Sequence, residues 1–318
     1  MSYNDTIIRD SANALIPEEQ SKKIIQGIVE ESTILKLATR LPDMSSKTLR
    51  MPVLSSLPHA YFVDGDTGLK QTTNASWDNV YITAEEIAVI VPVADAILAD
   101  AEYDIWAQIR PLVAQAFGKK IDDAILNGGV GSRPESWHDG IINMAYNYYD
   151  SFVEMSSNGF NDIMGENGLI ALVEKNGSLV NGFVGSYNSR SYLRGIIDKN
   201  GQPIFRNGMA DGTPYMLDGQ PIVFPKNGSM PVHLRDRTAH LVAGDWSQLV
   251  YAIRQDMTVT KSNQAVITDA DGKVIYNLYQ QDMTALRFVM RLGWQLPNPI
   301  SALGATNPFP FAVLNSAS

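Results

Sequence analysis

Apolar residues along this chain change their spacing several times, and each change predicts a change of element. Ile24, Ile25, Ile28 and Val29 form a stripe on one side of a helix, with Lys22, Lys23, Glu30 and Glu31 elsewhere; Pro17-Glu18-Glu19 suits its first turn. Ile34, Leu35 and Leu37 add a short apolar set that Pro42 closes. From Lys47 to about Val93 the period becomes two. Leu49, Met51 and Val53 alternate with polar or neutral neighbours, Ala60 to Val63 follow, and beyond a break come Trp77, Val80 and Ile82, then Ile87, Val89 and Val91. The break, Asp64–Asn74, is polar and contains Gly65 and Gly68. Two strands around so long a tip predict a projecting hairpin, too poor in apolar residues to hold its shape without a surface to pack on.

Between Asp95 and Leu126 the spacing turns helical through Ile105, Ile109, Leu112, Val113, Ala116, Ile121, Ala124 and Ile125, and Asn127-Gly128-Gly129 stops it. Pro111 predicts a kink, or two helices meeting near Arg110, because proline removes one helix bond and clashes with the preceding turn. Residues 130–240 read as mixed helix and strand, with helices at Leu169–Lys175 and Ser189–Asp198 and turns at Asn176-Gly177, Asn200-Gly201, Asp218-Gly219 and Asn227-Gly228. Strands are expected at Ala239–Val242, Leu249–Ile253, Val274–Leu278 and Ala285–Trp294, with Asp271-Gly272 turning between the middle pair. The class is therefore α+β.

Composition narrows the chemistry. The 318 residues suffice for one large or two modest domains, and no stretch reaches the roughly 18 uncharged apolar residues of a membrane span. MSYNDTIIRD carries neither the basic nor the apolar region of a secretion signal. Cysteine is absent, which excludes disulfides, thiolate metal sites and cysteine nucleophiles. A net charge of −9 argues against a protein built to grip phosphates.

Candidate catalytic and ligand motifs are weak. His59, His138, His233 and His240 lack the spacing of a zinc site and read as isolated surface or loop residues. Gly128-Gly129-Val130-Gly131-Ser132 follows a helix, whereas a phosphate loop must precede one. Asp64-Gly65-Asp66 and Asp269-Ala270-Asp271-Gly272 lack the glutamate that completes a calcium loop. The pairs Glu85-Glu86 and Asp122-Asp123 diverge on strand or helix, and they read as solvated charge. No catalytic residue, cofactor or metal is expected.

The order of elements resembles the major capsid proteins of tailed bacteriophages of the Hong-Kong-97 type, from about Ser32 to Leu303. Local stretches carry the likeness: Thr48-Leu49-Arg50-Met51-Pro52-Val53, Val93–Ala101, Ile121–Gly128, Tyr187–Arg194 continuing into Asp198–Pro203, Ala243-Gly244-Asp245-Trp246-Ser247, and Arg287–Trp294. The resemblance implies an N-terminal arm with a short helix (residues 1–45) and an extended E-loop hairpin with flanking strands (46–93). It implies a peripheral domain with a long spine helix (94–135 and 250–290), and an axial α/β domain with a C-terminal tail (136–249 and 291–318). It implies a structural subunit that assembles with itself through pentamers and hexamers into an icosahedral head around double-stranded DNA, held without sequence-specific binding.

Other expectations follow from the same likeness. Portal and a decoration protein are partners, and because Met1 stands so near the arm, scaffolding comes from a separate protein or is not needed. The chain would be assembled in the host cytoplasm and reside in the virion, with no membrane partner. Arg50, Asp64, Asp66, Lys70, Trp77, Arg110 and Arg194 become candidate subunit-interface residues. Some relatives weld subunits by an isopeptide bond, for which Lys70 and Asn298 are the candidates. Two other readings stay open: an encapsulin-like shell enclosing cargo, and a hydrolase using paired carboxylates.

Overall fold

In a computed structural model the described residues are 32–58, 60, 62, 72–100, 105–129, 131–156, 158–197, 216–234, 237–298 and 308–317. The helix expected before Ser32 and the hairpin tip with Asp64, Asp66 and Lys70 lie outside them. The elements run in the order α1 (Thr33–Leu37), β1 (Thr39–Arg40), β2 (Thr48–Ser56), β3 (Ser76–Thr83), β4 (Glu85–Ala94), α2 (Asp95–Asp100) and α3 (Ile105–Leu126). Next come α4 (Ile141–Asn147), β5 (Phe152–Glu154), α5 (Gly159–Met164), α6 (Leu169–Lys175), β6 (Gly182–Gly185) and α7 (Tyr187–Gly195). The remainder is strand: β7 (Met216–Leu217), β8 (Gln220–Val223), β9 (Val232–His233), β10 (Arg237–Gly244), β11 (Val250–Ser262), β12 (Val266–Thr268), β13 (Val274–Asn277), β14 (Met283–Gln295) and β15 (Phe311–Ala317).

One sheet has the order β1-β11-β14-β4, with β11 and β14 antiparallel over most of their length. Alternation along β14 puts Leu286, Phe288, Met290, Leu292 and Trp294 on one face, all buried. That face packs on α3, whose Val113, Ala114, Phe117, Ile121, Ala124 and Ile125 recur at helical spacing. Each of the larger of these side chains taken from water contributes about 1.5–3 kcal/mol. The helix stripe differs from the expected one: Leu112 and Ala116 face outward, and Ala114 and Phe117 take their places. Helix α3 also runs unbroken through Arg110 and Pro111. Helix α2 is described to Asp100 and α3 from Ile105, and residues 101–104 lie outside the described residues.

At its C-terminal end α3 stops at Asn127-Gly128. Gly128 adopts φ +54°, and a Cβ there would run into the backbone of Gly140, so only glycine fits.

The second sheet has the order β5-β15-β10-β6-β8-β7, with β9 also on β10. Phe311 and Val313 of β15 join the core shared with α3 and α4, while Ala312 and Leu314 face the core of α5, α6 and α7. Both faces are covered, which is why Gly182–Gly185 and Phe311–Leu314 are buried without alternation. The sequence pattern predicts no strand at β15, because a short run after Pro308 and Pro310 gains strand structure from its distant partners β10 and β5. Helix α7 begins at Tyr187, ahead of the expected Ser189, because Ser186 caps it by accepting from the Ser189 amide. Asp271-Gly272 does turn a hairpin, but it joins β12 to β13. That small ribbon is inserted between β11 and β14, which pair directly with each other.

Candidate assembly surfaces

Strands β2 and β3 form a two-stranded hairpin in the register Thr48↔Thr83, Arg50↔Tyr81, Pro52↔Asn79 and Leu54↔Trp77. Its inner face carries Leu49, Met51 and Ile82 onto Met44, Ala84, Val250 and Ala252 of the first sheet. Residues paired across a ladder share a face. The outer face therefore shows Arg50, Pro52, Asn79, Tyr81 and Trp77 together, with Trp77 63% and Tyr81 55% exposed. Of the expected interface residues, Arg50 and Trp77 thus come to one surface. Arg110 lies half-buried in α3. Arg194 is exposed in the last turn of α7, where its guanidinium bends back to the Arg190 carbonyl (3.3 Å) and the Ser191 hydroxyl (3.4 Å). Asn298 stands at φ +42° with its Oδ1 buried, and its cross-link candidate Lys70 is outside the described residues.

Among the described residues, sequence reasoning also missed several exposed apolar positions. The β12–β13 ribbon leaves Val266, Val274 and Ile275 outward, with Tyr279 just beyond it, and α3 leaves Leu112 outward. Alternation in short strands assigns no inside or outside when nothing packs on either face, so the sequence holds little signal for the ribbon.

The clearest departure from the sequence reading is Asp122. It is fully buried, and four donors converge on its carboxylate. The Ser32 hydroxyl (2.5 Å) and the Ile34 amide (3.3 Å) donate to Oδ1; the Thr33 amide (3.0 Å) and the Asn227 Nδ2 (2.7 Å) donate to Oδ2. Ser32 is also the cap of α1, accepting from the Leu35 amide at 3.2 Å. Burial pushes the Asp122 carboxyl up to about 6, against the pull of its hydrogen bonds from Ser32, Asn227, Thr33 and Ile34. A signal was available: Asp122 stands four residues from Gly118 and from Leu126, inside the buried side of α3.

Other polar groups are engaged locally. Glu86 lies across from Arg291, which donates from Nε (2.8 Å) and Nη2 (2.6 Å), while Glu85 points the other way to the Ser136 hydroxyl (2.6 Å). His240 is a half-buried strand residue between Ser186 (3.3 Å) and Ser316 (3.0 Å), which corrects its reading as an isolated histidine. His233 meets Thr238 at 3.1 Å, and His138 lies edge-on to Trp294. Among the described residues no three His, Asp or Glu side chains gather in a way that could hold a metal ion.

With this geometry in place, comparison with known proteins is informative. The sequence model of the phage capsid family matches residues 12–303. The major capsid protein of Staphylococcus phage 80alpha is 26% identical over 299 residues, covering 91% of this chain and 84% of that protein. The major capsid protein of Klebsiella oxytoca phage phiKO2 is 22% identical over 300 residues, covering 88% of this chain and 64% of that one. A solved chain from Microbacterium phage Oxtober96 superposes with a TM-score of 0.76 at 33% identity, over 90% of this chain and 91% of that chain. The expected α+β fold of the Hong-Kong-97 type is the fold found.

Proposed function

Because this chain belongs to the phage capsid family, we propose that it is a major capsid subunit, joining copies of itself through pentameric and hexameric rings into an icosahedral head around double-stranded DNA. The observation that carries the assembly reading is the outer face of the β2–β3 hairpin, where Trp77 and Tyr81 stand uncovered beside Arg50. We assign that hairpin, within residues 46–93, to the E-loop lying across a neighbouring copy, and residues 1–45 to the arm. Residues 94–135 and 250–290 are assigned to the peripheral domain, and 136–249 and 291–318 to the axial domain. The division is supported by the two sheets, one backed by α3 and the other covered by α5, α6 and α7 on its second face.

Aromatic rings bury roughly 150–250 Å² each, and apolar burial contributes about 25 cal/mol per Å². Covering the exposed parts of Trp77 and Tyr81 therefore supplies a few kcal/mol per contact, less the cost of ordering the partners. Contacts of that size let a misplaced subunit leave, while many of them together hold a closed shell.

The role is structural, without catalysis or cofactor. With a net charge of −9 the subunit retains DNA by enclosure and reads no sequence. Portal, a separate scaffolding protein and a decoration protein are the other partners of this reading, with assembly in the host cytoplasm and residence in the virion. A cargo-enclosing shell and a carboxylate-dependent hydrolase draw no support from the relatives compared above. The carboxylates a hydrolase would need are also committed: Glu86 to Arg291, and Asp122 under four hydrogen bonds.

The test is a Trp77→Ser, Tyr81→Ser double variant. Both positions are exposed, so the subunit keeps its thermal midpoint, while sedimentation finds the large particles lost. Normal shells from the double variant would remove the hairpin face from the account.

A further inference from the structure

Three separate stretches meet at the Asp122 carboxylate: the Ser32–Ile34 backbone at the start of α1, the side of α3 that carries Asp122, and the turn holding Asn227. The turn is itself fixed, since the Asn227 Oδ1 accepts from the Ser229 amide at 3.1 Å and Gly228 adopts φ +77°. Helix α1 is only five residues long, too short to persist without support from outside itself. Its support comes from Asp122 below its first turn and from Ile34 and Leu35 in the main core. A negative group at the first amides of a helix is the favourable arrangement, and here the group is supplied by another helix 88–90 residues away in sequence.

We propose that Asp122 is the positioning residue of the N-terminal arm: by gripping Ser32, Thr33 and Ile34 it fixes the point and direction at which the chain before Ser32 departs from the subunit body. The inference rests on the reading of that preceding chain as an arm between subunits. Both carboxylate oxygens accept from two donors, so an amide of the same shape cannot fill the role. An asparagine would turn its own NH2 toward two of those donors, whichever way it is placed. The adjacent Asp123 offers no substitute, being only half-buried on a neighbouring direction of the helix.

The experiment compares the full-length chain with its Asp122→Asn variant by amide hydrogen exchange and by sedimentation of the assembled material. Loss of a charge-assisted bond at the root of α1 speeds exchange at Thr33 and Ile34 about tenfold or more. Exchange at Phe288 and Leu292 in β14 stays unchanged, and the yield of closed shells falls. Three results overturn the proposal: no change at Thr33 and Ile34, faster exchange there in step with β14, or a released root with normal shells. A Ser32→Ala variant, which removes one donor and leaves the carboxylate in place, carries the same comparison if Asp122→Asn does not fold. The arm reading is checked separately in the unmodified chain, where exchange over residues 1–31 should slow when free subunits become shells. If it does not slow, the arm reading fails, whatever the variants do at Thr33 and Ile34.

Discussion

Gly293 of β14 lies directly beneath Ile82 at the root of the hairpin. A Cβ at position 293 would come within 2.7 Å of the Ile82 Cγ2 and 2.5 Å of the Thr83 carbonyl oxygen. That carbonyl cannot easily retreat, since it accepts from the Trp137 indole at 2.9 Å, and Trp137 packs edge-on against Trp294. The missing side chain is what seats the hairpin on the sheet.

Gly293→Ala therefore costs about 1–3 kcal/mol, the range for forcing extra volume into a packed site. Denaturant unfolding of the free subunit measures this. Shell yield should fall more steeply than stability alone accounts for, because the hairpin root is displaced. An alanine variant as stable as the unmodified chain would mean the hairpin is not held as described.

Asp122 predicts a pH dependence of defined sign. Its carboxyl is raised from 3.8 to about 6 by burial, so the folded subunit binds this proton more tightly than the unfolded chain does. The contribution is then most favourable below the unfolded value and is lost as pH rises through the folded one, at up to about 1.4 kcal/mol per pH unit between them. Asp123, Lys119 and Lys120 on the same helix, Lys226 on the turn and Lys36 on α1 are the charges nearby in sequence whose own responses must be subtracted. Comparing unfolding of the unmodified chain and Asp122→Asn at pH 5 and pH 7 performs that subtraction. The unmodified chain should lose ground to the variant on going to pH 7, and an unchanged difference would contradict the assignment.

The Arg291–Glu86 pair predicts the opposite scale of effect. Its geometry is good, with two donors on one carboxylate oxygen, yet both side chains are nearly half exposed. Exposed pairs of this kind contribute roughly 0–1 kcal/mol and weaken with salt. Arg291→Ala should shift unfolding by no more than that, and less in high salt. A loss of several kcal/mol would show the pair to be coupled to something beyond the cross-strand contact.

Much of the architecture was legible in the sequence, and what was not has physical reasons. Strands β2, β3 and β4 were readable because one face of each is buried, so alternation survives; helix α6 was placed within its observed bounds. Strand β15 was illegible, since its order depends on pairing with β10 some 70 residues earlier and no local pattern announces that. Helices α4 and α5, at seven and six residues, fall below the length at which periodicity can be distinguished. Trp77 and Arg50, singled out in the sequence from their place on the hairpin, share its exposed outer face. Asp122 reads like its neighbour Asp123 until helical spacing is applied: it stands four residues from Gly118 and from Leu126 on the buried side of α3, whose packing seals it.

The most direct test of the central claim is sedimentation velocity on the purified full-length chain, with electron microscopy of the fastest-sedimenting material. The account predicts closed megadalton particles, or rings of five and six copies that close when scaffolding protein is supplied. A chain that stays a monomer or dimer under every condition, with scaffold present, would contradict it.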